Sequence, residues 1–339
     1  MKILVTGGAG YIGSHTCLAL INEGYDIVII DNLSNSSKES IKRIEVLANQ
    51  SIIFYNADVN DRASLENIFN ENAIEAVVHF AGLKSVNESI NIPVDYYENN
   101  VCSSISLFHV MSKFNCKTLV FSSSATVYGD TTISPIKEDS PLSAENPYGR
   151  SKLMIEEILQ DLYISDNSWH IARLRYFNPV GAHKSGLIGE DPKGKPNNLF
   201  PYVSQVAVGK REKINIFGGD YATHDGTGVR DYIHVLDIAD GHVKALDTLN
   251  LKSQILTVNL GTGNGYSVLD VINAFEIASG VNIPYEIVGR RKGDIAKCYA
   301  DTSLAKSIIN WSACFTLQSM CEDSWRWQKM NPNGYLRDE

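Results

Sequence analysis

The sequence is short of features that would place it in several functional classes. It has six cysteines, at 17, 102, 116, 298, 314 and 321, with no C-x-x-C pair and no zinc-type spacing. Cys17 falls on the apolar face of an expected helix and reads as a small buried hydrophobe. The eight histidines include no H-E-x-x-H and no other ligand cluster, so no metal site is expected. Positive charge is also scarce: 30 Lys and Arg stand against 39 Asp and Glu, a formal net charge of −9. That sign disfavours general binding to nucleic acid or anionic membranes. It leaves room for a small anionic ligand, which a few local Arg and helix N-termini can hold. No apolar run approaches the ~18 residues of a membrane-spanning helix. The segment Met1-Lys2-Ile3-Leu4-Val5-Thr6 runs directly into a strand and a glycine loop, without the apolar stretch of a signal peptide. Cysteine usage and the missing targeting signals together point to the cytoplasm. No repeat or low-complexity tract is present.

What remains is an ordinary globular composition. Hydrophobic residues make up 44% and charged residues 20% of 339, which is too apolar for a disordered chain and enough for one large or two moderate domains. Short apolar, mostly β-branched runs at 2–6, 26–30, 52–55, 76–80 and 118–122 alternate with helical segments at 11–22, 37–48, 61–71 and 95–114. A helix at 149–163 leads to a sixth strand at 171–176. Continuous apolar strands separated by helices predict an α/β fold, a doubly wound parallel Rossmann sheet covered on both faces. From 179 onward the pattern loosens. Gly and Pro cluster between 179 and 196, then strand-like runs at 213–217, 255–260 and 285–288 mix with helices at 198–209, 237–249, 267–279 and 314–328. The expected division is a dinucleotide-binding domain over 1–178 and a smaller mixed α/β domain over 179–339, with some later segments free to return to the first sheet.

The first strand leads into Thr6-Gly7-Gly8-Ala9-Gly10-Tyr11-Ile12-Gly13. Gly7, Gly10 and Gly13 give the G-x-x-G-x-x-G spacing that a tight turn, close approach to a pyrophosphate and close helix–sheet packing require. The pyrophosphate then faces uncapped N–H groups and the positive end of the helix dipole. The second strand ends in Asp31, placed to bond adenosine ribose hydroxyls and to repel a 2′-phosphate, which selects NAD over NADP. Asp58-Val59, past the third strand, has two readings: a contact to adenine, or a helix N-cap before 61–71.

A second constellation carries chemistry. The fifth strand ends in Ser122-Ser123-Ser124, and Tyr148 and Lys152 are spaced i, i+4, so they share one helix face. A phenol ordinarily titrates near 10, so a tyrosine base working near neutral pH must be shifted down by roughly 3 units. Lys152 and a positive nicotinamide ring are the expected stabilisers of its phenolate. Ser124 is expected to bond the substrate hydroxyl and relay its proton.

These motifs, together with Asp31-Asn32-Leu33-Ser34-Asn35, His79-Phe80-Ala81-Gly82-Leu83-Lys84, Arg175-Tyr176-Phe177-Asn178-Pro179, Asn197-Asn198-Leu199, Gly228-Val229-Arg230-Asp231-Tyr232 and Arg290-Arg291-Lys292-Gly293-Asp294, resemble the extended short-chain dehydrogenase/reductases. Within that family they look most like the UDP-glucose (UDP-galactose) 4-epimerases, over essentially the whole chain. The resemblance implies a permanently held NAD and inversion at C4 of a UDP-hexose through a 4-keto sugar. It implies that Tyr11, Ile12, Asn32, Leu33, Ser34, Asn35 and Ser36 join the cofactor site. Phe80, Ala81, Gly82, Lys84, Asn99, Ser122 and Phe177 join it as well. Asn178, Asn198, Leu199, Phe217, Arg230, Arg291 and Asp294 would hold the UDP moiety, with Lys84, Ser124 and Tyr148 also facing the substrate. Arg230 and Arg291 suit a diphosphate and Asp294 suits ribose hydroxyls; the plainer reading of Arg230 is an ion pair with Asp231. The family is usually dimeric through helices matching 95–114 and 149–163.

Three rivals share the fold. A 4,6-dehydratase of this kind carries an Asp-Glu pair where this chain has Ala125-Thr126. A net reductase often prefers NADP, against Asp31. A non-catalytic NAD- or UDP-sugar-sensing relative typically lacks the Tyr or Lys found here. Position 298 bears on substrate range. Family members limited to unmodified hexoses tend to carry Tyr beside C2 of the sugar, whereas this chain has Cys298, which implies acceptance of UDP-GlcNAc and UDP-GalNAc. Alternatively Cys298 is a small buried strand residue, or a one-residue slip lets Tyr299 fill the same space.

Overall fold

Seven parallel strands form the central sheet of the computed structural model, which describes residues 1–335 apart from 132, 194, 195, 197, 252, 292 and 293. Asn197, Lys292 and Gly293 of the motifs above, and Gly194 of the Gly/Pro cluster, therefore lie outside the described residues. Across the sheet the strands run Gln254–Leu260, His170–Tyr176, Thr118–Ser124, Ala76–His79, Lys2–Thr6, Asp26–Ile30 and Ile53–Tyr55. The order reverses between Lys2–Thr6 and Ala76–His79, and a crevice opens at that point beyond the carboxyl ends of the strands.

Alternation along each strand fills the first core from both faces of the sheet. Ile3, Val5, Ile27 and Ile29 face one side, where they meet Cys17, Ile44 and Ile238 from covering helices. Leu4, Val28 and Ile30 face the other and meet Leu65, Phe108 and Ile155. Both faces are covered, which is why these strands read as unbroken apolar runs.

The helix expected over 95–114 is three pieces: Pro93–Tyr97, a π-helical turn at Glu98–Cys102, and Ser103–Lys113. The wide turn accompanies two side-chain ties to one loop. Leu83 N–H donates to Asn99 Oδ1 at 3.2 Å and to Asn100 Oδ1 at 2.7 Å. Such single π turns are a frequent mark of functional sites. The short helices Val86–Asn91 and Ser303–Ile309 have no counterpart in the sequence reading.

Beyond 179 the chain builds a second core around Phe200, Ile216, Val271, Phe275 and Met320. It also crosses back: Gln254–Leu260 pairs with His170–Tyr176, and the helix Val235–Leu249 packs on Tyr11–Asn22. Small strand pairs close the second region. Asn178–Val180 lies beside Tyr232–His234, and Val229–Arg230 lies between Tyr266–Ser267 and Lys297–Cys298.

Candidate active site

The glycine loop has no room for a side chain at Gly7 or Gly13. Gly7 takes a φ of +69°, and a Cβ there would lie 2.8 Å from the Ala81 nitrogen. A Cβ on Gly13 would lie 2.2 Å from the Gly7 carbonyl oxygen. Gly10 precedes the helix Tyr11–Asn22 and no side chain caps it, which leaves first-turn N–H groups available at the cavity wall. Asp31 ties this loop to the next: Oδ2 accepts from Ala9 N at 3.0 Å, and Oδ1 accepts from Leu33 N at 2.9 Å and Ser36 Oγ at 2.8 Å. Asp58 accepts from Asn32 Nδ2 at 2.8 Å and Asn60 N at 2.8 Å. The helix Arg62–Glu71 is instead capped by Asp61, through Ala63 N and Ser64 N, so the N-cap reading of Asp58 is overturned.

These groups open on a cavity of about 480 Å³ that also takes in the fifth-strand serines and the helix Pro147–Ser165. Its walls include Gly7, Gly10, Tyr11, Ile12, Gly13, Asp31, Asn32, Ser34, Asn35, Ser36, Asp58 and Val59. They continue through Phe80, Ala81, Gly82, Lys84, Asn99, Ser122 and Phe177. Leu33 does not line it. With φ at +57° its backbone turns there, and its side chain packs against the sheet core. A cradle a Cβ would fill, an uncapped helix start and a carboxylate at the second strand's end fit an NAD.

Asn146 accepts from Gly149 N and Pro147 takes the first helical position, which starts the next helix in register to bring Tyr148 and Lys152 to the cavity. Lys152 Nζ donates to the Ser122 carbonyl at 2.8 Å. Ser124 Oγ accepts from Thr126 N at 3.2 Å and Thr126 Oγ1 at 3.0 Å. Burial pushes the Tyr148 phenol up, and a hydrogen bond with Ser124 opposes it. Burial also pushes the Lys152 ammonium down to about 8, against the pull of Glu156 one turn further on. The expected lowering of Tyr148 by Lys152 is thus not met in the chain alone: the ammonium is engaged on a backbone carbonyl, and desolvation outweighs the one group that favours the phenolate. The strand itself is held by a buried pair, Arg175 Nη2 with Glu156 Oε2 at 2.6 Å, to which Ser123 Oγ also donates at 2.5 Å.

On the second region's side, Asn178, Asn198, Arg230 and Cys298 line the cavity, whereas Leu199, Phe217, Arg291 and Asp294 do not. Leu199 begins the helix Leu199–Ala207 and packs against the second core. Phe217 is 44% exposed, with the Arg291 guanidinium 5.4 Å from its ring centre. Arg291 forks onto Asp294 through Nε at 3.1 Å and Nη2 at 2.9 Å, and Arg230 Nη2 reaches the same carboxylate at 3.8 Å. These three charges form one cluster, paired with one another, and Arg230 joins it to the cavity wall.

The Arg230–Asp231 ion pair is overturned. Consecutive strand residues face opposite sides. Asp231 is fully buried and accepts from Thr262 N and Oγ1, Gly263 N and Ala300 N at 2.7–3.1 Å. Cys298 faces the cavity with its thiol raised to about 11 by burial, so it stays neutral. Tyr299 points elsewhere, its hydroxyl donating to Ser134 O at 3.3 Å, so the slipped alternative does not hold.

Several cavity residues escaped the sequence reading: Tyr176, Glu190, Asp191, Lys193 and Tyr335. Four belong to or touch the Gly/Pro-rich stretch, whose composition signals a loop and not what the loop covers. Among the described residues one group could present three ligand atoms to a metal: His224, Asp225 and Asp270. None of them lines the cavity, and Asp225 and Asp270 are engaged by Thr227 and Ser267.

The model of the NAD dependent epimerase/dehydratase family matches residues 3–261. A UDP-glucose 4-epimerase of Bacillus subtilis (strain 168) is 58% identical over 339 residues, covering 100% of both chains. The structure of a UDP-glucose 4-epimerase from Stenotrophomonas maltophila, with bound NAD and formylated UDP-arabinopyranose, superimposes with a TM-score of 0.96 at 50% identity, over 98% of this chain and 99% of that one. A UDP-glucose 4-epimerase from Bifidobacterium longum in complex with NAD+ and UDP gives a TM-score of 0.95 at 52% identity, over 99% and 100%.

Proposed function

The chain belongs to the NAD dependent epimerase/dehydratase family, and from that premise we propose that it is a UDP-hexose 4-epimerase interconverting UDP-glucose and UDP-galactose. The observation that carries this is the meeting, in one cavity, of the glycine cradle with Asp31 and the Ser124–Tyr148–Lys152 group. Gly7, Gly10 and Gly13 would hold the pyrophosphate of NAD and Asp31 its ribose. When bound, NAD would supply reversible redox chemistry at C4 with no net change. Tyr148 holds and moves the proton of the 4-hydroxyl. Ser124, beside Tyr148 at the cavity wall, bonds the same hydroxyl and orients it. Lys152, fixed on the Ser122 carbonyl, adds positive charge on the same helix face. Arg230, Asn178 and Asn198 anchor the nucleotide at the cavity, with Arg291, Asp294 and Phe217 at its margin, so the uridine diphosphate stays while the 4-keto sugar turns over.

Incubating the purified chain with UDP-galactose and no added cofactor tests this. UDP-glucose should form, and acid release should yield NAD. Bound NAD without turnover would establish a sensor instead of an enzyme. A requirement for stoichiometric NADPH would establish a reductase.

The finer features belong to the same reading. Cys298, in place of an aromatic ring at the cavity wall, supports acceptance of UDP-GlcNAc and UDP-GalNAc. A homodimer is supported by exposed Val94 and Ile105 along 93–113 and Met154 and Ile164 along the helix Pro147–Ser165, apolar side chains that a second copy would cover; sedimentation separates dimer from monomer. No helix among the described residues is long and apolar enough to cross a membrane. With the free cysteines, this supports a cytoplasmic site.

A further inference from the structure

The stretch Gly189–Lys193 is a wall with space on both sides. Inward it lines the dinucleotide cavity. Outward, Glu190, Asp191 and Pro192 border a second cavity of about 180 Å³, shared with Lys210 and Trp327. A cavity therefore backs the middle of this wall, and contacts at its two ends hold it. At one end Lys193 Nζ donates to the Leu33 carbonyl at 2.9 Å and the Ser34 carbonyl at 2.6 Å, across the loop that follows Asp31. At the other end Gly189 N donates to the Tyr335 hydroxyl at 3.2 Å, with the Trp327 ring packed where a Gly189 side chain would stand. Trp327 Nε1 donates to the Glu190 carbonyl at 3.1 Å, and Tyr335 N donates to Asp191 Oδ2 at 2.9 Å.

The centre of the wall is Glu190, whose side chain is 10% exposed. One oxygen, Oε1, accepts from Lys84 Nζ at 3.1 Å and from Asn198 Nδ2 at 3.3 Å. A carboxylate is an unfavourable neighbour for two diphosphates, so its role is not to bind either. It joins a residue of the cofactor half to one of the substrate half, and closes the strap between them.

We propose that Glu190 is a positioning residue whose bonds to Lys84 and Asn198 latch the strap Gly189–Lys193 over the bound dinucleotide, so that the cofactor leaves only when the latch opens. This rests on the NAD reading above. The latch explains retention by structure, where zero net redox only removes the need for release.

The test is exchange of the resident cofactor. The purified holoprotein is mixed with excess radiolabelled NAD, and protein-bound label is followed by gel filtration. Glu190→Gln keeps the shape and removes the charge. It should raise the exchange rate by about tenfold or more, the scale of one lost charge-assisted bond. Tyr335→Phe, which removes one hydroxyl, should raise it less. Activity of Glu190→Gln should fall on dilution and be restored by added NAD, a rescue that a general folding defect does not show. Exchange at the wild-type rate in Glu190→Gln overturns the latch. If that variant does not fold, Lys193→Met and Tyr335→Phe decide it: faster exchange in both supports the latch, and wild-type rates in both overturn it. A wild type that holds no NAD at all removes the cofactor reading and the latch with it, an outcome distinct from a tightly held NAD that Glu190→Gln leaves unmoved.

Discussion

The two halves of the cavity are built on different principles. The cofactor half uses backbone: uncapped N–H groups, glycines without room for a Cβ, and Asp31 held by three hydrogen bonds. The substrate half uses long side chains, Arg230 and Arg291, which lean on Asp294 at the margin. A backbone cradle exists before the ligand arrives and costs little to organise. Partly exposed arginines are screened by solvent and must exchange partners when a diphosphate binds. The difference matches the fates that the proposed cycle gives the two ligands, one kept through every turnover and the other coming, turning and going.

The largest effect should come where the halves meet. Tyr148→Phe is expected to lower turnover of UDP-galactose by ~10²–10⁴-fold while NAD content stays unchanged. Near-normal turnover would remove Tyr148 from the chemistry. Cys298→Tyr probes the substrate half alone. Filling the pocket should cost ~1–3 kcal/mol, a loss of roughly 5–150-fold on UDP-GalNAc with UDP-galactose turnover kept. If wild type is inactive on UDP-GalNAc, or the variant handles it unchanged, Cys298 is not the gate. Gly13→Ala probes the cofactor half alone. Its Cβ meets the Gly7 carbonyl at 2.2 Å, and backbone cannot step aside as a side chain can. The variant should melt lower, by ~1–3 kcal/mol of stability, and purify without NAD. Full NAD content in Gly13→Ala would show the cradle to be pliable and erase the contrast drawn above.

The smallest effect is in pH. Lys152 is lowered from its usual 10.5 to about 8, so turnover should decline as pH rises through about 8 and the ammonium loses its proton. Stability moves the other way. Between about 8 and 10.5 the unfolded chain holds a proton that the folded chain has released, so the Lys152 contribution to stability rises with pH across that window. Denaturant titrations of cofactor-free protein at pH 7 and 9 should show this gain, and Lys152→Met should abolish that part of it.

Much of the molecule was legible from spacing alone. Apolar runs identified six sheet strands because both faces of a parallel sheet are covered, and the i, i+4 pair and the glycine spacing depend only on helix and turn geometry. The adjacent-residue guess for Arg230 failed for a local reason that could have been applied, since neighbours on a strand diverge. The cap reading of Asp58, one of two its position allowed, failed by three residues, because Asp61 stands directly before the helix.

The rest required the folded chain. Sequence by itself determined the sheet, the cradle, the preference for NAD and the shared helix face of Tyr148 and Lys152, because each is a short-range pattern set by the periods of helix, strand and turn. Only the tertiary structure decided that Cys298 and not Tyr299 faces the cavity, that Asp294 gathers both arginines, and that Glu190 meets Lys84 from 106 residues away. Those contacts depend on where a sheet crossover and a loop return in space. No local periodicity encodes that distance, and the energy that sets it is spread over two cores instead of written in any one motif.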